Sequence, residues 1–209
     1  MLILNIINLV LGDFSVNCYI VYSEGSGGCA VIDPGEEFKV LDKALEENGI
    51  VPEAIILTHA HFDHIGAVKQ LREKYNSPIY INADEIEILA DGDKNLSTRF
   101  CDEAIEISDP EYLVRDGDCF TVAGLDFEVL HTPGHTKGCT VYKCGDTLFT
   151  GDTLFAGTCG RCDVWSSDVL KMRESLERLC TIPESLNVFA GHGPATTLDR
   201  ERKSYKLFI

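Results

Sequence analysis

The stretch that decides the fold is Thr58-His59-Ala60-His61-Phe62-Asp63-His64-Ile65-Gly66, which packs three histidines and a carboxylate into a short polar segment. It directly follows Ala54–Leu57, an apolar run typical of a short buried strand. After it, apolar residues recur at helical spacing, at Ile65, Val68, Leu71 and Tyr75. The polar segment is therefore expected at the C-terminal end of a strand, where a helix begins.

The spacing inside this segment indicates metal ligands. Residues two apart in an extended chain point the same way, so His59 and His61 can hold one ion. Asp63 and His64 lie where the chain tightens into a turn, so they point elsewhere and can serve a second ion. Imidazole and carboxylate groups together suit zinc, iron or manganese.

Three further ligand-type residues also follow predicted strands. His135 comes after Leu125–Leu130, Asp152 after Leu148–Thr150, and His192 after Val188–Ala190. Each stands beside a glycine that lets the backbone turn sharply, in Pro133-Gly134-His135, Gly151-Asp152 and Gly191-His192-Gly193. Because sites in open α/β sheets form at the carboxyl ends of strands, we expect these side chains to converge.

A single histidine or aspartate at a strand end is usually a turn residue with satisfied hydrogen bonds. That interpretation does not suffice here, because five of the six histidines lie in such contexts. The set therefore predicts a metal site. His131 is the exception, since it lies on the presumed strand itself, and we interpret it as structural or as a support for a ligand.

The rest of the chain alternates strands with helices. Further strands are predicted at Leu2–Ile7, Val16–Tyr22, Cys29–Ile32, Ile79–Ile81, Phe120–Ala123 and Thr140–Cys144. Helices are predicted at Glu37–Asn48, Asp84–Ala90 and Asp199–Leu207, and after the cap-type residues 166–168. Asn95–Pro110 has no clear period, which favours a loop or lid. The pattern predicts an α/β fold of two packed sheets with helices outside, in one domain spanning residues 1–209.

Composition limits the partners. The 209 residues include 18 basic and 34 acidic ones, for a net charge of −16. A field of that sign repels phosphate backbones and anionic lipids, so neither nucleic acid nor a membrane is expected as a partner. No signal peptide or membrane span is evident, which favours the cytoplasm. Composition does not predict the oligomeric state.

The cysteines point to the same compartment. Their number is nine, an odd count that favours reduced thiols in a reducing environment. Cys159 and Cys162 form a Cys-x-x-Cys pair without a second such pair to complete a zinc site. Plain thiols near the pocket are the favoured interpretation, with a redox or additional metal role as the alternative.

Together these motifs resemble the metallo-β-lactamase superfamily and, within it, the glyoxalase II-like hydrolases. The resemblance covers nearly the whole chain. It rests on Asn17–Val21, Val31–Gly35, His59–Gly66, Thr132–Thr136, Thr150–Phe155 and Gly191–Pro194. It implies a four-layer αβ/βα sandwich.

By position, the resemblance assigns two ions to this chain. His59, His61 and His135 would bind the first ion, and Asp63, His64 and His192 the second. Asp152 would bridge them, so Asp63 and Asp152 are the expected catalytic carboxylates. The cofactors expected are two divalent ions, zinc first, with iron or manganese as alternatives.

The sequence also departs from glyoxalase II. That family carries a helical domain after the last histidine ligand, and too few residues follow His192 here to form one. Of its substrate anchors, the basic residue is retained as Arg161, whereas two tyrosines are replaced by Asp163 and Pro194. Flavodiiron proteins and class B1 lactamases are disfavoured because they carry Glu and Cys in place of His61 and Asp152.

The function implied is hydrolysis of a small anionic thioester, in which hydroxide generated at the ions attacks the carbonyl. Arg161 would hold the anionic group of the substrate. The alternative is a persulfide dioxygenase of the same superfamily, which binds a single iron through the positions of His59, His135 and Asp152. A ribonuclease is disfavoured by the acidic charge, and a non-catalytic metal-binding module by the complete ligand set.

Overall fold

The computed structural model describes residues 4–208 and arranges their strands in two sheets. The first sheet holds β1 (Leu4–Leu11), β2 (Val16–Ser23), β3 (Gly28–Ile32), β4 (Val51–Ile56), β5 (Ile79–Asn82) and β6 (Tyr112–Val114) in that order. The first three strands pair antiparallel, and β3 to β6 run parallel. The carboxyl ends of β3, β4 and β5 therefore meet at one edge of the sheet.

The second sheet is mostly antiparallel. It holds β7 (Cys119–Val122), β8 (Leu125–His131), β9 (Thr140–Cys144), β10 (Thr147–Gly151), β11 (Asn187–Ala190) and β12 (Thr196–Thr197), in the order β12-β11-β10-β9-β8-β7. Only β10 and β11 pair parallel. These two strands deliver their carboxyl ends, side by side, to the same region.

Helices lie between the strands and vary widely in length. They are α1 (Phe38–Asn48), α2 (Phe62–Ile65), α3 (Val68–Tyr75), α4 (Ile86–Leu89), α5 (Ser97–Phe100), α6 (Val169–Thr181) and α7 (Leu198–Glu201). Asp168 begins α6, because its side chain accepts hydrogen bonds from the backbone of Leu170 and Lys171. Within residues 4–208, none of the helices has the length and apolar character needed to cross a bilayer.

Alternation along the strands produces a layered core. In β2, Cys18 and Ile20 face the cluster formed with α1 and α3, whereas Tyr19 and Val21 face the second sheet. This follows from the two-residue period of a strand, which sends successive side chains to opposite faces. In the second sheet, Val141 and Leu148 pack with α6 on its outer face. The result is helix, sheet, sheet, helix, which confirms the predicted four-layer α/β sandwich.

Most predicted elements are confirmed, with shifted bounds. The first strand extends to Leu11, and Leu2 and Ile3 of its predicted range lie outside the described residues. Strands β6 and β12 were not predicted, because segments of three and two residues carry too little pattern and are defined by pairing with neighbours. The helix predicted at Asp84–Ala90 is a 3₁₀ turn followed by α4, and that at Asp199–Leu207 divides into α7 and a second 3₁₀ turn. The irregular stretch Asn95–Pro110 contains α5.

Candidate metal centre

The predicted ligands converge where strand ends of both sheets meet. His59 and His61 follow β4, His135 follows β8, Asp152 follows β10, and His192 follows β11. Their ligand atoms form three groups, each with all atoms within 4.8 Å of one another. The groups are His59, His61 and His135; His59, His64 and Asp152; and Asp63, His64 and His192.

The first group is buried. The Nδ1 atom of His61 lies 2.8 Å from Nε2 of His135. The ring centroid of His59 lies 4.9 Å from the ring centroids of both His61 and His135. Two ring nitrogens this close can share one cation, since each then directs a lone pair at it. The resemblance assigned the same three residues to the first ion.

The second group lies beside it and is more open. The Oδ2 atom of Asp63 is 3.3 Å from Nε2 of His192 and 3.8 Å from Nε2 of His64. His64 is fully buried, whereas Asp63 and His192 reach the cavity surface. The same three residues were assigned to the second ion.

Asp152 lies between the two groups. Its carboxylate oxygens lie 3.4 Å from Nε2 of His135, 3.4 Å from Nε2 of His64 and 3.7 Å from Nε2 of His192. One carboxylate thus faces histidines of both groups. This is the placement expected of a bridging ligand.

Outer hydrogen bonds fix the orientation of four of the histidines. The Nδ1 atoms of His135 and His192 face the carbonyl oxygens of Arg161 at 2.8 Å and Phe14 at 3.1 Å. His64 Nδ1 lies 3.0 Å from a carboxylate oxygen of Asp33, and His59 Nδ1 lies 3.1 Å from the Thr58 hydroxyl. An acceptor on Nδ1 places the ring proton there and leaves Nε2 free as a metal ligand.

The polar atoms that this arrangement leaves unsatisfied test whether metal ions fit. Among residues 4–208, four buried side-chain atoms have no hydrogen-bond partner: Nε2 of His59, Nε2 of His61, Nε2 of His64 and Oδ1 of Asp152. Buried polar atoms are normally satisfied, and several orphans in one cluster need an explanation. Cations held by this donor set supply it for His59, His64 and Asp152, because imidazole nitrogen and carboxylate oxygen are the usual ligands of zinc and iron. His61 faces the first group through Nδ1 instead.

The electrostatics of the histidines differ between the groups. Burial lowers the pKa of His59 well below its usual value and lowers that of His61 to about 3, which keeps both rings neutral. Burial also opposes the charge on His64, but Asp63, Asp152 and Asp33 outweigh it and raise the pKa of His64 well above the usual value. The carboxylates around the second group therefore favour positive charge there more strongly than the surroundings of the first group do.

Asp33 supports the site, and the sequence analysis did not assign it a role. Its buried carboxylate accepts hydrogen bonds from Thr58 N at 2.8 Å and Thr58 Oγ1 at 2.7 Å, and lies 3.0 Å from Nδ1 of His64. Asp33 follows β3, which runs parallel beside β4. The end of β3 therefore holds the histidine segment that follows β4. The position of Asp33 in an Asp-Pro-Gly turn after a strand was the available signal.

Glu85 is a second support that the sequence analysis missed. It is fully buried and accepts hydrogen bonds from Ala60 N at 2.9 Å, Gly138 N at 2.8 Å and Thr136 Oγ1 at 2.6 Å. One carboxylate thereby joins the turn carrying His59 and His61 to the turn carrying His135. No local pattern marks it, because its partners come from distant parts of the chain.

Gly191 shows how tightly the site is packed. A Cβ atom added there would lie 2.7 Å from Cε1 of His64 and would overlap Oδ1 of Asp152. Real Cβ atoms do not approach other atoms so closely. The glycine before His192 is therefore required by the neighbouring ligands.

A cavity of about 250 Å³ opens onto the ligands. It is lined by Phe14, His61, Phe62, Asp63, Leu96, Phe100, His135, Asp152, Arg161, Val164 and His192. Arg161 is exposed and pairs with Asp163 through two hydrogen bonds, Nε to Oδ1 at 2.6 Å and the terminal nitrogen to Oδ2 at 2.9 Å. The predicted anchor thus reaches the cavity, but its guanidinium is already paired.

Two other features take no part in the cluster. His131 Nε2 lies 2.9 Å from the carbonyl oxygen of Lys137, which agrees with a structural role. Cys159 and Cys162 are half-buried free thiols that pack beside the apolar cluster under α6. Burial raises the pKa of both thiols, so neither is activated as a thiolate.

Two known proteins are similar to this chain in sequence. It is 35% identical over 195 residues to the probable metallo-hydrolase YqgX of Bacillus subtilis, covering 92% of both chains. It is 38% identical over 179 residues to the hydroxyacylglutathione hydrolase of Klebsiella pneumoniae, covering 86% of this chain but only 62% of that protein. This chain thus spans less than two thirds of that enzyme.

Two solved structures are also similar. The crystal structure of the B3 metallo-beta-lactamase BLEG-1 superposes with a TM-score of 0.89 at 33% identity, covering 95% of this chain and 97% of that one. TTHA1623, solved in a di-iron-bound form, gives a TM-score of 0.85 at 35% identity, covering 97% and 100%. Residues 11–192 match the Metallo-beta-lactamase superfamily, a range that includes every residue of the histidine and aspartate cluster. The cluster, the two-sheet sandwich and this match agree, and the chain belongs to the metallo-beta-lactamase superfamily.

Proposed function

We propose that this protein is a metal-dependent hydrolase of small anionic thioesters and uses two divalent ions. The observation that carries the proposal is the complete second group. Asp63, His64 and His192 lie together beside the first group, with Asp152 between the two. A mononuclear site built on His59, His135 and Asp152 leaves that second group without a purpose.

Ions held by these residues would supply activated water at neutral pH and polarise the substrate carbonyl. Asp152 would contact both metal positions. The hydrogen bonds to Asp33 and Glu85 would keep the ligands oriented. The cavity walls exclude bulk water on one side.

The leaving group argues for a thioester. Among the described residues that line the cavity, Arg161 is the only polar side chain that is not in the ligand cluster. A guanidinium does not release its proton, so it cannot act as a general acid. A thiol leaves as a thiolate with a pKa near 8.5 and needs little protonation, whereas an amine leaving group needs a proton donor.

The known relatives support the same chemistry. One of them is a hydroxyacylglutathione hydrolase, and another was solved with two irons. We propose zinc as the resident metal, with iron or manganese as alternatives, because the donor set accepts all three. The nine free cysteines fit a reducing cytoplasm, which completes the proposal.

The decisive experiment combines metal analysis with two assays on the purified protein. We expect two divalent ions per chain and thioester hydrolysis without oxygen uptake. One iron per chain, with persulfide-dependent oxygen consumption and no thioester cleavage, would instead establish the dioxygenase alternative. Metal bound without either activity would make the protein a binding module.

A further inference from the structure

Three phenylalanines form one wall of the cavity, and we call them the phenylalanine wall. Phe62 and Phe100 are stacked with ring centroids 5.1 Å apart, and Phe14 meets them edge-on at 4.9 Å and 5.3 Å. Phe62 is buried, whereas Phe14 is 46% and Phe100 is 54% exposed. The same cavity is lined by Asp63, Asp152 and three histidines of the cluster, so the wall and the candidate metal centre share one cavity.

The wall is attached to the ligands on one side. Phe62 stands between His61 and Asp63 in the chain, so its position depends on the ligand turn itself. The backbone oxygen of Phe14 lies 3.1 Å from Nδ1 of His192. Two of the three rings are therefore held in place through metal-ligand residues.

The third ring is held by a braced loop. Phe62 N donates to the carbonyl oxygen of Asn95 at 2.9 Å, which joins the ligand turn to the loop that carries Phe100. Inside the loop, Ser97 N donates to Asn95 Oδ1 at 2.9 Å, and Ile105 N donates to Ser97 Oγ at 2.8 Å. Both Asn95 and Ser97 are fully buried. These bonds place the Phe100 ring against the other two before any ligand arrives.

Leu96 and Val164 extend the apolar surface of the cavity. Half-exposed aromatic rings grouped inside a concave site usually mark where a ligand binds, because covering them removes apolar area from water. The opposite side of the cavity carries the carboxylates and imidazoles. A substrate that fills it must therefore place a polar reacting group at the ligands and an apolar group on the wall.

We infer that the phenylalanine wall binds the acyl group of the substrate, so that the preferred substrates are thioesters of apolar acyl groups rather than of hydroxyacyl groups. The inference rests on the proposed thioester hydrolysis and specifies its substrate class. In the reaction, water adds its oxygen to the carbonyl carbon and the carbon–sulfur bond breaks. The products are a carboxylic acid, whose apolar part lies on the wall, and the free thiol.

The test uses one thiol and several acyl groups, so that only the acyl part varies. Acetyl, 2-hydroxypropanoyl, hexanoyl and phenylacetyl thioesters of 3-mercaptopropanoate, an anionic thiol, are compared by kcat/KM with the metal-loaded protein. We expect the hexanoyl and phenylacetyl compounds to be at least about tenfold better than the 2-hydroxypropanoyl compound, a ratio typical of added apolar contact in a pocket.

Variants then locate the preference. Phe14→Ala and Phe100→Ala change exposed side chains, so the fold should be retained. Each should lower kcat/KM for the hexanoyl compound about tenfold and for the acetyl compound less than about threefold. Phe100→Leu should keep most of the preference, and Leu170→Ala, at a 65% exposed residue outside the cavity, should leave it unchanged.

The outcomes separate this inference from the proposed function. Hydrolysis without an apolar preference, or with a preference that survives both alanine variants, would refute the inference and leave thioester hydrolysis standing. Absence of hydrolysis with every compound, while metal is bound, would refute both.

Discussion

The carboxylate of Asp33 lies 3.0 Å from Nδ1 of His64, across the junction between two parallel strands. The same carboxylate accepts two hydrogen bonds from Thr58. One buried residue after β3 thus orients a ligand of the second group and holds the backbone from which the first group begins. Metal sites depend on such outer contacts nearly as much as on the ligands themselves.

Replacing Asp33 with asparagine tests this relationship. The amide nitrogen cannot accept the His64 ring proton, so Asp33→Asn should weaken metal binding by about 10- to 100-fold. Competition with a chromophoric chelator measures the affinity, and Asp126→Asn on the exposed face of β8 serves as the control. Metal affinity equal to that of the unchanged protein would show that the contact does not support the site.

Asp63 distinguishes two ions from one. In the two-metal proposal, Asp63→Ala removes a charged ligand of the second ion, so thioester hydrolysis should fall at least ~100-fold, comparable to the loss of an electrostatic stabiliser. The first group keeps all its ligands and should still hold one ion, measured by elemental analysis. Full hydrolysis by a variant with one ion per chain would contradict the role of the second group.

Arg161 and Asp163 make a matched pair of tests. Arg161→Ala should raise KM for thioesters of an anionic thiol by about tenfold and change kcat less. The reason is the loss of a hydrogen bond to a charged group at an exposed position. Asp163→Asn should lower KM for the same substrates, because it releases the guanidinium from its ion pair. Identical kinetics in both variants would remove Arg161 from substrate binding.

Glu85 should matter for stability as well as for metal binding. Glu85→Ala leaves the buried N–H groups of Ala60 and Gly138 without an acceptor, which costs about 1–3 kcal/mol for each group. Urea unfolding of the metal-free protein measures the loss, and Glu106→Ala at an exposed position is the control. A change below about 0.5 kcal/mol, the range of ordinary surface substitutions, would mean that water replaces the carboxylate there.

Metal release should depend on pH in two steps. The pKa of His64 lies well above its usual value, and that of His192 is also raised. Protons therefore compete with a cation in the second group as pH falls. The pKa of His61 is about 3 and that of His59 lies well below its usual value, so the first group resists protonation. Lowering the pH should therefore release one ion per chain before the other.

Elemental analysis after dialysis at stepped pH checks this order, with circular dichroism to confirm that the protein remains folded. The remaining ion should be lost from His61→Ala but retained by Asp63→Ala. Loss of both ions together, at the same pH step, would contradict the separation of the two groups.

The sequence by itself determined which residues could form the site. The spacing of His59, His61, Asp63 and His64 follows from strand and turn geometry, which a few neighbouring residues encode. Glycines at sharp turns marked His135, Asp152 and His192 in the same way. Layering was predictable as well, since the succession of strands and helices and the helical period of α6 are read from local patterns.

Only the tertiary structure decided how these residues are supported and what surrounds them. Asp33 and Glu85 act through hydrogen bonds to distant turns, the Arg161 guanidinium is paired with Asp163, and Phe14 contacts Phe100 in one wall of the cavity. Such contacts join parts of the chain far apart in sequence or depend on side-chain direction. These contacts form only when the whole sandwich is packed, so no short segment encodes them.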